Sequence, residues 1–221
     1  MNTRAHHRFL QWGLLAVTLT CAPPDALPAP PDRAAAVADL EHPDAGRRAE
    51  AIAWIAKHGR IADQPLLLVR LRDEHEAVRA YAEHGLWLLW TRSDDPGIDR
   101  LMADGVEQMQ SGRLAQAIAT FGEIIRRKPA FAEGWNKRAT AYFLAGDYRR
   151  SLADCDEVMK RNASHFGALS GYGQIYFRLE QYARAIEYWR RALEVNPNMD
   201  GVEHNIEGAE QLLKERRGRS I

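Results

Sequence analysis

From Ile98 onward the apolar and small positions of the chain return with one interval. Leu101, Trp135 and Leu169 stand 34 residues apart, and so do the small residues Gly105, Ala139 and Gly173. Ala117, Ser151 and Ala185 keep the same step, as do Phe121, Cys155 and Trp189, and Pro129, Ala163 and Pro197 close each unit. A fixed period of this length marks a supersecondary unit that cannot bury its apolar face alone and therefore stacks on copies of itself. Each unit reads as two helices. The small residues let helices approach closely, while Phe121 and Trp189 fill the space between neighbouring hairpins. Gly112 and Gly146, with Asp147, suit the turn inside a hairpin, where the third unit has Glu180 and Gln181. Pro129 and Pro197 end their second helices because proline cannot donate the ladder hydrogen bond. Beyond Pro197, Asp200 can cap one more helix through Val202, Ile206, Leu212 and Leu213, which covers the last apolar face of the stack.

The stretch from Ala34 to Trp90 is also helical in pattern, with a different step. Leu40 and Leu71, Arg48 and Arg79, Ala49 and Ala80, Ala51 and Ala82, and Ile55 and Leu86 recur at 31 residues. Its aromatic and aliphatic faces, including Trp54, Leu86, Trp87, Leu89 and Trp90, need cover, and the helix beginning at Ile98 is the expected source. The run from Thr91 to Gly97, TRSDDPG, reads as the junction between the two regions.

The order in the 34-residue units, a bulky and then a small residue in the first helix, a small residue and an aromatic in the second, and a closing proline, resembles the tetratricopeptide repeat. The runs DLEHPDAGRRAEAIAWIA and RLRDEHEAVRAYAEHGLWLL resemble the HEAT repeat. The expected fold is thus all-α: an α-solenoid of three tetratricopeptide repeats plus a capping helix over 97–221, preceded by a short HEAT-like helical region over 33–92. The tetratricopeptide resemblance implies a concave groove lined by the first helices, with inward positions one, two and five residues after the bulky residue. Those are Asn136, Lys137 and Thr140 in the second unit and Ser170, Gly171 and Gln174 in the third. Arg178, one turn further, and His204 and Asn205 on the capping helix extend the line, and the first unit offers Met102, Ala103 and Val106. The implied groove is apolar at one end and polar and partly basic at the other, suited to an extended peptide or a helix. In it Asn136 and Gln174 would hydrogen-bond a peptide backbone, while Lys137 and Arg178 would favour an acidic or carboxylate-bearing ligand. Chaperone-binding members of the family grip a C-terminal carboxylate with Lys and Asn on the first repeat, near where Met102 and Val106 stand here, which argues against chaperone tails as ligands.

Composition supports a packed core, with 46% hydrophobic residues in 221. The 30 basic and 30 acidic residues cancel, so net charge gives no reason to expect nucleic acid as a partner. Cys21 and Cys155 are too few for a disulfide framework and lack the paired spacing of a zinc site. Cys155 occupies the repeat's buried aromatic position and is expected to be an inert thiol. Catalytic patterns fail residue by residue. His75 and Glu76 open a metalloprotease-like motif, but Arg79 stands where its second histidine belongs; Ser170 in GALSGYG follows no strand; Gly171 and Gly173 lack the third glycine of a dinucleotide loop. The eight histidines, scattered through the chain, read as surface or boundary residues. No metal or cofactor is expected.

At the N-terminus, Arg4 and Arg8 precede an apolar stretch from Phe9 to Ala22, followed by a proline-rich spacer, which together read as a signal peptide and spacer over 1–29. Thr18, Leu19 and Thr20 resemble a lipobox poorly, so membrane attachment is expected only if Cys21 is lipidated. The sequence thus describes an exported, periplasmic, non-enzymatic adaptor that binds a protein or peptide. The alternative is an accessory or regulatory subunit of an envelope enzyme or assembly machine.

Overall fold

The computed structural model describes residues 32–218, which form eleven α-helices and one short 3-10 turn, with no strand among them. The signal and spacer over 1–29, Cys21, and Arg219 of the basic tail lie outside the described residues. None of the described helices is long and apolar enough to cross a membrane.

The N-terminal unit contains α1 (Arg33–Asp39), α2 (Ala45–His58), α3 (Gln64–Arg70) and α4 (Glu76–Thr91). Asp32 and Asp44 start the first two by accepting from the amides of Ala35 and Arg47, both at 2.9 Å. The 31-residue step is a real structural period. Leu40 and Leu71, Ala51 and Ala82, and Ile55 and Leu86 are paired core positions, all buried. Arg48 donates to the carbonyls of His42 and Pro43, and Arg79 to those of Asp73 and Glu74, one period on. Arg48 also grips the Asp73 carboxylate through two bonds of 2.9 and 2.8 Å, and both partners are nearly inaccessible. For Arg79 the matching acceptor is Asn198 Oδ1, at 3.0 Å, which comes from the far end of the chain.

The second unit stacks α5 (Pro96–Gln110) with α6 (Leu114–Arg127), α7 (Ala132–Leu144) with α8 (Tyr148–Arg161), α9 (Phe166–Arg178) with α10 (Tyr182–Val195), and ends in α11 (Asp200–Gly218). The three expected hairpins and the capping helix are therefore present; Lys214 and Arg216 lie within α11. Gly112 and Gly146 take positive φ, 72° and 78°, at the hairpin turns, and Glu180 adopts 56° at the third. A non-glycine residue there carries a penalty of about 1–2 kcal/mol, which the rest of the repeat absorbs. Gly105 and Gly173 are packing glycines. A methyl group on Gly105 would sit 2.5 Å from the Phe121 ring, and one on Gly173 would collide with the Trp189 indole.

One expectation needs correction. The helix beginning near Ile98 does not cover the aromatic face of α4, because Ile98 belongs to a cluster with Phe121 of its own hairpin and Phe131 at the start of the next. Helix α4 instead lies along the turns that join one repeat to the next. Trp90 stacks on His165 at 4.4 Å between ring centroids, Trp87 meets Phe166 edge-on at 5.3 Å, and Val195 and Met199 complete the cluster. Arg72 donates to the carbonyls of Glu194 and Val195, and Lys128 to that of Ser93. The two units thus share one apolar seam, which fixes the N-terminal helices along one edge of the repeat stack.

Candidate functional site

Helices α5, α7 and α9 are the first of each hairpin, and a groove runs from the last turn of α5 across the middle and last turns of α7 onto α9. Its centre is a half-open cavity of about 220 Å³. Asn136, Thr140, Gly171 and Gln174 line it, so four of the positions expected in the groove converge there. Met109, Phe143, Leu144 and Ile175 supply its apolar wall, and no charged residue is among the lining. Met109 and Phe143, like Gln110 and Leu144, are one 34-residue period apart, on the same helical faces one turn beyond the three positions carried over from the family. The period itself could have pointed to them.

The remaining expected residues are placed differently. Ser170 is buried, 2% exposed, and does not line the cavity. Arg178 is exposed at the end of α9, and His204 is exposed on α11, where Asn205 is half-buried. Asn136 and Lys137 are already occupied. The Asn136 amide donates to both oxygens of Glu133 at 3.2 Å, and the Lys137 ammonium lies 3.1 Å from Glu133 Oε1. His165 Nε2 is 3.1 Å from Oε2 of the same carboxylate. The two groove residues serve Glu133 because they follow it by three and four positions on one helix, where side chains meet. The basic end expected from Lys137 is thereby neutralised.

Glu133 is wholly buried, and burial alone would raise its carboxyl pKa. The Lys137 charge and the His165 hydrogen bond outweigh this and hold it down to about 2, so Glu133 is a carboxylate throughout the neutral range. Neither Glu133 nor His165 was anticipated. The reading of the histidines as surface or boundary residues fails for His165, whose ring is fully buried between Glu133 and Trp90. Below the cavity, Ser151 donates to the carbonyl of Ala139 at 2.8 Å, and Cys155 forms part of the floor. Burial pushes the Cys155 thiol above its ordinary range, keeping it neutral.

The tetratricopeptide repeat family matches residues 103–158 and 166–199, the hairpins that build this groove. The chain carries tetratricopeptide repeats. A TPR repeat-containing protein of Rhizobium etli is 34% identical over 130 residues, which make up 59% of this chain and 63% of that protein. The chain therefore spans less than two thirds of that relative. Among solved structures, the Sgt2 TPR domain of Aspergillus fumigatus superposes with a TM-score of 0.53 at 22% identity, over 56% of this chain and 83% of that domain. The first TPR of Spaghetti (RPAP3), solved bound to the HSP90 peptide SRMEEVD, gives 0.51 at 24% identity, over 53% and 93%. At these identities the two structures show a shared fold.

Proposed function

We propose that this chain is a non-enzymatic adaptor that holds a peptide segment of a partner protein in the concave groove of its tetratricopeptide repeats, in a bacterial cell envelope. The observation that carries the reading is the cavity at the centre of the groove, bordered by polar groups and walled by apolar ones, the usual make-up of a recognition site. The Spaghetti domain, a neighbour in fold, is a precedent for a peptide bound to such repeats. The envelope reading rests on the basic and then apolar N-terminal stretch from Arg4 to Ala22. Thr140 and Gln174 are the groove residues placed to touch the ligand. Asn136 and Lys137 are engaged by Glu133.

One experiment with two readouts tests this. A photo-crosslinking amino acid is placed at Thr140, on the groove, or at Glu187, exposed on α10, and the chain is expressed in its source cells and irradiated. The Thr140 bait is expected to give a discrete adduct and the Glu187 bait none, and intact mass should show residues up to about Ala22 or Ala29 removed. Equal adducts from both positions would overturn the groove, and an uncut N-terminus would overturn export.

A further inference from the structure

Glycine in a helix interior is destabilising relative to alanine, so each one needs a reason. Most here have one. A methyl group would strike Phe121 at Gly105, Ile124 at Gly134, Trp87 at Gly167 and Trp189 at Gly173. Gly122, Gly208 and Gly171 show no such collision, and of these three only Gly171 lines the groove cavity. Its methyl would meet only the Cys155 sulfur, at 3.8 Å, an ordinary contact, and its φ is that of a normal helical residue. Neither packing nor backbone geometry therefore calls for glycine at 171. What its bare backbone does is open the groove floor: the space a side chain would fill is part of the 220 Å³ cavity that reaches down to Cys155.

Accepting the groove as the binding site, we propose that the cavity over Gly171 is an anchor pocket for one aromatic side chain of the bound peptide. The size fits, because an engineered apolar protein cavity of about 150 Å³ is enough to bind benzene. The chemistry fits as well. Phe143 and Ile175 wall the pocket, Cys155 at its base is neutral, and no lining residue carries a charge. An acidic side chain would lose its hydration there, and the cation beside the pocket, Lys137, is already bound to Glu133. Gly171 is thus a specificity residue, and the ligand is an aromatic-bearing segment in place of the acidic one that Lys137 and Arg178 suggested.

The test is a titration of the ¹⁵N-labelled full chain with N-acetyl-phenylalaninamide, N-acetyl-alaninamide and N-acetyl-glutamic acid amide, followed by amide chemical shifts. The phenylalanine probe should shift Thr140, Gly171, Gln174 and Ile175 together with millimolar half-saturation, at least tenfold tighter than the other two. Gly171→Leu should fill the pocket and weaken the phenylalanine probe at least tenfold, while melting at or above the parent's temperature. Should leucine disturb folding, Gly171→Ala adds a single methyl at ordinary contact distance from the Cys155 sulfur and should still weaken the probe severalfold. Shifts scattered elsewhere, a glutamate probe that binds as well, or indifference to both substitutions would overturn the pocket. A partner that crosslinks at Thr140 but binds Gly171→Leu unchanged would overturn the pocket while leaving the groove reading intact.

Discussion

Replacing Trp189 with alanine is expected to lower folding stability by about 3–5 kcal/mol, the usual range for deleting a buried aromatic side chain. Trp189 is 2% exposed and packs so closely on Gly173 that a methyl group there would collide with the indole. Its cluster joins α10 to α11 through Val202 and Ala209, and Phe177 lies 5.7 Å from its ring. Because repeats are stabilised by their neighbours, the loss should spread beyond one hairpin and fray the capping helix first. Urea unfolding followed by helical circular dichroism measures the effect. A variant that unfolds with the parent would show that the 34-residue register does not describe the packing.

The second large effect concerns Glu133. Its carboxyl is lowered from an ordinary 4.5 to about 2 in the folded chain. A depressed carboxylate contributes stability that is complete above the unfolded pKa and is lost as pH falls through the folded one. The window is therefore about pH 4.5 down to 2, and the shift corresponds to about 3 kcal/mol. Asp63 and Asp73 are lowered too, so the parent loses other stability in acid, and only a comparison isolates Glu133. Glu133→Gln should cost about 3–5 kcal/mol at neutral pH, because it leaves Lys137 and buried His165 without their anion. It should also flatten the acid limb relative to the parent. Since Trp90 stacks on His165, tryptophan fluorescence should report the same loss as a change at the seam between the two units. Parallel acid profiles for parent and variant would mean that Glu133 is not the ionised centre of this network.

The repeat architecture was legible because it is written as a period. Gly105 with Phe121 and Gly173 with Trp189 are complementary pairs repeated at fixed offsets, and each packs against near neighbours in sequence. Arg48 and Arg79 likewise take equivalent bonds one 31-residue period apart. The seam was not legible. Trp87 and Trp90 meet Phe166 and His165 across more than 70 residues with no shared period, and nothing local distinguishes an α4 face turned to the next helix from one turned to the repeat turns. In the groove, four expected positions do converge on the cavity. Counting family positions placed Asn136 and Lys137 in the groove, but it could not show what they bind. The acid that occupies them was visible at Glu133, in helical reach of both, and its third partner, His165, comes from the next repeat. Charges that look free in a list of positions are often paired once the helix is wound.

The most direct measurement of the central claim is the dissociation constant of the partner recovered by crosslinking, for the parent and for the double variant Gln110→Lys with Leu144→Lys. Both residues are exposed, line the rim of the cavity, and sit in the last turn of α5 and α7, where a lysine suits the helix dipole and leaves the fold intact. If the groove holds the partner, two ammonium groups at its mouth should weaken binding tenfold or more, about 1.4 kcal/mol or greater, with the melting temperature unchanged. An equal dissociation constant for the two proteins would contradict the groove as the binding site.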